Sequence, residues 1–251
     1  MILDKFRLDG KVAIVTGSDT GLGQGFSKAF VEAGAKVLGV SNMPSTATQE
    51  MLGKENFEFI QADLSTLDPI ENIIKTAVDT FGHIDILVNN AGVIKREDTI
   101  DFSVESWDLV MNVNLRTLFF LSQACAKQYV KQGTGGKIIS VASMLSYQGG
   151  IRVPSYTASK SGVKGITMTM ANEWASKGIN VNAIAPGYMA TNNTKALRAD
   201  ADRSEAILDR IPAGRWGTPD DIMGAAIFLA SSASDYVNGF TLAVDGGWLG
   251  R

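Results

Sequence analysis

The chain contains one histidine, His83, one cysteine, Cys125, and six prolines among 251 residues. Each scarcity excludes something. One histidine cannot build a His-rich metal centre, and it serves a Ser-His-Asp triad only from the right place. One cysteine permits no intrachain disulfide and no Cys-X-X-Cys zinc or redox motif, so no metal site is expected. Excess charge of one sign is also missing. The 23 Lys+Arg stand against 26 Asp+Glu, a formal −3, which gives no electrostatic case for a nucleic-acid partner. No uninterrupted apolar stretch is long enough to span a bilayer, so no membrane partner is expected either. The start, Met1-Ile2-Leu3-Asp4-Lys5, lacks the basic-then-apolar order of a signal peptide. A cytoplasmic location is the resulting expectation, and the cysteine count agrees with it. Any acid–base chemistry is expected to use a side chain other than histidine.

Glycine is plentiful at 26 residues, and 45% of the chain is hydrophobic. A chain of this length can bury roughly 70–75% of its unfolded surface, so one large core is feasible. Short apolar runs alternate with longer amphipathic segments. Strands are expected at 12–15, 37–40, 57–60, 86–88, 137–141, 179–184 and 240–244. Helices are expected at 21–33, 69–81, 103–132, 156–176 and 220–230. Strands separated by helices imply parallel crossovers. The expected fold is one α/β domain over residues 1–251, a Rossmann-type doubly wound sheet of seven parallel strands with helices on both faces. The polar stretch 188–215 is too long for an ordinary connection and reads as a substrate loop or lid.

The turn Thr16-Gly17-Ser18-Asp19-Thr20-Gly21-Leu22-Gly23 joins the first strand to the first helix. Glycines there let the backbone approach a pyrophosphate, and the free N–H groups of the helix start favour an anion. The spacing is G-x-x-x-G-x-G, not the G-x-G-x-x-G of the common dinucleotide fingerprint. An acid at the end of the second strand would hold the ribose 2′-hydroxyl of NAD, and a basic residue the 2′-phosphate of NADP. Ser41 and Asn42 are neither, and the glycine loop has no Lys or Arg. NAD is therefore expected over NADP. Asp63 could accept from the adenine amino group or simply cap a turn.

Tyr156 and Lys160 stand four residues apart, on one face of a helix. A free phenol titrates near ~10, too high for efficient catalysis at neutral pH. A nearby ammonium, and the positive ring of an oxidised nicotinamide, would lower that value. Ser143, just past the fifth strand, offers a hydroxyl to a substrate oxygen.

These residues together resemble the short-chain dehydrogenase/reductase family. The shared pattern is Thr16-Gly-x-x-x-Gly-x-Gly23, Asp63, Asn89-Asn90-Ala91-Gly92, Asn114, Ser143, Tyr156-x-x-x-Lys160 and Pro186-Gly187, in order along the whole chain. The resemblance implies hydride transfer between a nicotinamide and a carbinol or carbonyl carbon. It implies Tyr156 as general acid/base, Ser143 as the group orienting the substrate oxygen, and Lys160 on the nicotinamide ribose. Asn114 would hold a water in a proton relay. Leu64, Asn90, Ala91, Gly92, Pro186, Gly187, Met189 and Thr191 would line the cofactor, and Asn89 would help hold the central strands. A homotetramer is the assembly it implies.

Three further segments, 143–155, 185–193 and 207–216, resemble members of the family that act on 3-deoxy keto-sugar acids in hexuronate breakdown and favour NAD. A keto-sugar acid calls for a guanidinium fork and amide donors. Gln148, Arg152, Asn192, Asn193, Arg203 and Arg215 are candidates by position, with Arg152 placed first. Tyr188 and Trp216 could stack on a sugar or simply pack. The rival expectations are a gluconate 5-dehydrogenase, an NADPH-dependent 3-oxoacyl-thioester reductase, and a non-catalytic dinucleotide-sensing module. His83 reads as a turn residue and Cys125 as core filling.

Overall fold

The β-branched and aliphatic runs pair into one sheet because the central ones are too apolar to leave either face in water. The computed structural model describes every residue from Met1 to Arg251. The strands are β1 (Val12–Thr16), β2 (Lys36–Ser41), β3 (Phe57–Gln61), β4 (Ile86–Asn89), β5 (Gly136–Val141), β6 (Ile179–Pro186) and β7 (Thr241–Val244). All seven run parallel, in the order β3-β2-β1-β4-β5-β6-β7. The order reverses between β1 and β4, and a crevice opens there beyond the carboxyl ends of the strands. No helix is long and apolar enough to cross a membrane.

The helices are α1 (Gly21–Glu32), α2 (Thr46–Leu52), α3 (Ile70–Phe81), α4 (Val104–Met111), α5 (Leu118–Gln132), α6 (Pro154–Trp174), α7 (Lys195–Ala199), α8 (Ala201–Leu208) and α9 (Pro219–Ala230). They cover both faces of the sheet. Phe26, Phe30 and Ile222 from α1 and α9 join one buried layer with Val15 and Val88. Leu121, Cys125 and Tyr129 from α5 join the other with Ile14 and Leu87. Cys125 is core filling, and burial pushes its thiol up. His83 lies in the turn before β4, beside the Gly10 carbonyl (3.2 Å) and Asp85 (3.0 Å).

Three elements differ from the sequence expectation. The helix expected over 103–132 is two α-helices joined by a π turn, Asn112–Thr117. The helix α2 was not anticipated, because its seven residues carry no repeated apolar stripe. Residues 188–215 are not an irregular loop: they hold a 3-10 turn at Asn192–Thr194 followed by α7 and α8. That segment is anchored by a small core of Met144, Ile207, Ile211 and Trp248.

Candidate active site

The glycine loop at the end of β1 is built for close backbone approach. Gly17 and Gly21 have φ of +66° and +59°, which glycine adopts without strain. A Cβ on Gly23 would sit 1.9 Å from the Gly17 carbonyl oxygen. Thr20 precedes α1 without a side-chain cap, so the first N–H groups of the helix point into the cleft unclaimed. Asn90 ties the loop to β4 by donating from Nδ2 to the Thr16 carbonyl (2.8 Å). Thr16 Oγ1 in turn accepts from the Asn90 and Ala91 N–H groups (3.0 and 2.9 Å). Asn89 donates to Ser122 Oγ (2.9 Å) and joins β4 to α5.

These loops border one cleft of about 550 Å³. Gly17, Asp19, Thr20, Gly21 and Leu22 form one wall, with Ser41, Asn42, Asp63 and Leu64 at its far end. Asn90, Ala91, Gly92, Pro186, Gly187, Met189 and Thr191 form the other side. Ser143, Tyr156 and Lys160 lie at the near end. Gly23 supports the loop from beneath and does not itself border the cleft. The walls therefore suit a long, flat ligand with an anionic middle, the shape and charge of a dinucleotide.

At the near end, Ser143 Oγ accepts from the Leu145 N–H (3.1 Å) and caps a short turn after β5. Pro154 starts α6, fitting the first turn because its missing N–H is not needed there. One turn on, Tyr156 and Lys160 share a face. Burial raises the Tyr156 phenol above its ordinary value, and the neighbouring Ser143 hydroxyl and the Arg96 guanidinium oppose that rise. Lys160 is 3% exposed. Burial lowers its ammonium to about 8. Its Nζ donates to the Val141 carbonyl (2.6 Å) and lies 5.6 Å from the centre of the Tyr156 ring. Ser143 and Arg96 thus oppose burial at the phenol, and the Lys160 ammonium stands close to its ring.

Asn114 sits in the π turn, fully buried. Its Oδ1 accepts from the Val93 N–H (2.8 Å), and its Nδ2 donates to the Val93 carbonyl (2.9 Å) and to Ser159 Oγ (3.2 Å). It clamps the strand-end peptide at Val93 and does not border the cleft.

The residues expected to contact substrate divide. Asn192 and Asn193 border the cleft. Gln148 does not: its Oε1 accepts from Arg210 (3.3 Å) and Trp248 (3.2 Å), pinning the turn after α8 to the C-terminal turn. Arg152 lies outside the lining and pairs with Asp98 (2.9 Å), with over half its side chain in solvent. Its φ of +64° belongs to the left-handed region, which a non-glycine residue adopts only at a cost. Tyr188 packs edge-on against Trp216 and Trp248 at 5.5 and 4.8 Å. Arg215 forks onto Asp221, and Arg203 begins the exposed face of α8.

Sequence reasoning missed Arg96. It follows β4 in the loop that starts at Asn90 and donates from Nη2 to the Asn193 carbonyl (3.3 Å). It is exposed and, like Arg152, does not itself border the cleft, but it joins the 188–215 segment to the neighbourhood of Tyr156. A charged residue in a loop at the carboxyl end of a strand was the available signal. Val93, Leu109 and Val113 were missed too, and they give the near end an apolar wall.

A family model described as enoyl-(acyl carrier protein) reductase matches residues 17–249. The chain is 63% identical, over the full length of both proteins, to the 2-dehydro-3-deoxy-D-gluconate 5-dehydrogenase of Escherichia coli. It is 55% identical to the enzyme of the same name from Bacillus subtilis, covering 99% of this chain and 98% of the other. Among solved structures, a gluconate 5-dehydrogenase from Burkholderia cenocepacia in complex with NADP and tartrate superposes with a TM-score of 0.93. It shares 38% identity, and each chain covers all of the other. The fold, the glycine loop and the Ser143–Tyr156–Lys160 cluster agree with these relationships, and the chain belongs to the short-chain dehydrogenase/reductase family.

Proposed function

We propose that this chain interconverts a keto and a hydroxyl group on a 3-deoxy keto-sugar acid, in the manner of a 2-dehydro-3-deoxy-D-gluconate 5-dehydrogenase serving hexuronate breakdown. The observation that carries the reading is one cleft holding an uncapped glycine-rich helix start at one wall and Ser143, Tyr156 and Lys160 at its end. The 63% identity to a relative of that name supports the substrate class. The cleft fits a nicotinamide dinucleotide: Gly17 and Gly21 border it at positive φ, and the free N–H groups of α1 suit its pyrophosphate. When bound, the nicotinamide supplies the hydride donor or acceptor and, when oxidised, a positive charge beside the phenol.

The protein's own groups handle the oxygen and the proton. Ser143 Oγ donates to the substrate carbonyl oxygen and fixes it beside Tyr156. In reduction, Tyr156 Oη gives its proton to that oxygen as the carbon gains hydride; in oxidation it takes the proton back. Lys160, anchored by the Val141 carbonyl, holds the nicotinamide ribose. Asn114 fixes the Val93 peptide, and its remaining Oδ1 lone pair would hold a water of a proton relay. Arg96, at the rim and bonded to the carbonyl of the cleft-lining Asn193, takes the substrate carboxylate, with 188–215 closing as the lid.

NAD is the proposed carrier over NADP, because Lys160 is the one Lys or Arg lining the cleft and lies at the opposite end from Ser41. The exposed apolar side chains of Val104, Trp107, Phe120 and Met168 on α4, α5 and α6 favour burial against further copies, and a homotetramer is the proposed assembly. The proposed location is the cytoplasm, in keeping with one unpaired buried cysteine. A second reading, gluconate 5-dehydrogenase, is favoured by the Burkholderia relative.

A rate panel tests the substrate and the nucleotide. Keto-sugar acids, gluconate and an acetoacetyl thioester are each assayed with NAD(H) and NADP(H). The reading expects the highest kcat/KM on a 3-deoxy keto-sugar acid with NAD(H). A higher value on gluconate or the thioester overturns it. Tyr156→Phe is expected to abolish turnover while NADH still binds, and retained activity would remove Tyr156 from the acid–base role.

A further inference from the structure

We infer that Asp19, held by Ser41, is the residue that reads the adenosine ribose and discriminates against a 2′-phosphate. The inference rests on the dinucleotide reading above and adds a determinant to it. The usual place for such an acid is the end of the second strand, about twenty residues beyond the glycine loop. Here that place is Ser41, too short to reach two ribose hydroxyls. Its Oγ instead donates to Asp19 Oδ1 at 2.6 Å, and both residues border the cleft. The carboxylate missing from the strand end is supplied from the glycine loop.

The surroundings fix this acid and leave half of it free. Thr48 of α2, fully buried, donates to the Ser18 carbonyl (2.8 Å). Ser18 Oγ bonds Ser45 Oγ (3.0 Å), and a Cβ on Gly39 would sit 2.5 Å from that Ser18 oxygen. The backbone at Asp19 is therefore held from two sides. Asp19 Oδ1 is taken by Ser41, while Oδ2 accepts no bond from the protein and no cation pairs with it. The nearby Asp63 differs, because both its oxygens accept from Ser65. A free, oriented carboxylate oxygen accepts from a vicinal diol. The same oxygen repels a phosphate dianion, which finds no guanidinium or ammonium at this end of the cleft.

The test is a binding titration of NADH and NADPH by nucleotide fluorescence, without sugar acid, so failure of the substrate reading is read separately. The Burkholderia relative holds NADP, so the observable is the ratio of dissociation constants, not occupancy. Wild type is expected to bind NADH at least tenfold more tightly than NADPH. In Asp19→Asn the ratio should fall at least tenfold, with NADH weakened and NADPH tightened. Ser41→Ala, which frees the carboxylate without removing it, should fall in between. High salt should narrow the wild-type ratio and leave that of Asp19→Asn unchanged. A wild-type ratio near one, or variants that melt normally yet keep the ratio within twofold, overturns the inference. A wild type that binds neither nucleotide overturns the dinucleotide reading with it.

Discussion

Replacing Lys160 by Met should make the protein more stable and less active. The ammonium is buried at 3% exposure with one protein acceptor, the Val141 carbonyl at 2.6 Å. Burial takes its pKa from 10.5 to about 8. At neutral pH the folded protein holds this charge at a cost of about 3 kcal/mol relative to the unfolded chain. Methionine has a similar length and no charge, so that cost disappears. Loss of the hydrogen bond subtracts about 1–2 kcal/mol, leaving a net gain of about 1–2 kcal/mol. Between about pH 8 and 10.5 the unfolded chain binds a proton that folded Lys160 has released, so wild-type stability rises with pH across that window. The advantage of the variant should shrink by about 2 kcal/mol from pH 7 to roughly pH 9.5. Urea unfolding of both proteins without nucleotide at the two pH values measures it. A stability difference that does not change with pH would refute the claim that this lysine is a strained, desolvated charge.

Gly23→Ala places a methyl 1.9 Å from the Gly17 carbonyl oxygen, so the loop must open; NADH affinity should drop at least tenfold by fluorescence titration, with loss of stability of about 1–3 kcal/mol. Arg96→Ala should raise KM for a sugar acid at least tenfold more than for an uncharged ketone, whereas Arg152→Ala should leave both nearly unchanged. Steady-state kinetics on the two substrates separate these outcomes. Asp221, held well below the usual carboxylate range by the Arg215 fork and the Thr218 N–H, contributes stability that is present above its unfolded pKa near ~4 and is lost as pH falls through its folded value. Asp221→Asn should therefore cost about 1 kcal/mol at neutral pH, as loss of a capping group does, and progressively less in acid, as followed by thermal melting.

The legible parts of the site were those whose chemistry demands particular residues at short, fixed spacing. The glycine loop, Asn90 through Gly92, Ser143 and the Tyr156–Lys160 pair all lie at strand ends or on one helix turn, so local sequence reports their relative position. The substrate end was less legible because it is assembled across the chain. Arg96 reaches Asn193 from 97 residues away, and no periodicity announces that meeting. Arg152 illustrates the converse: its nearness in sequence to Ser143 and Tyr156 did not place it among the cleft-lining residues, and it pairs instead with Asp98. Residues 188–215 had weak periodicity because α7 and α8 are only five and eight residues long and draw their order from Trp248 and its neighbours.

The π turn at Asn112–Thr117 sets a rotational phase between two helices. Each residue added to or removed from a helix turns everything beyond it by about 100°. Upstream of the turn, Val110 faces the interior; within it, Asn114 faces Val93; downstream, Leu121, Cys125 and Tyr129 face the sheet. Deleting any one residue of 112–117 would let the backbone relax to an ordinary α-helix. Either the asparagine would then swing away from the strand-end peptide, or the apolar stripe of α5 would rotate toward water. The residue count in this turn is therefore as strict as the identity of Asn114. Substitutions at the turn's partly exposed positions should be tolerated far better than a change of length.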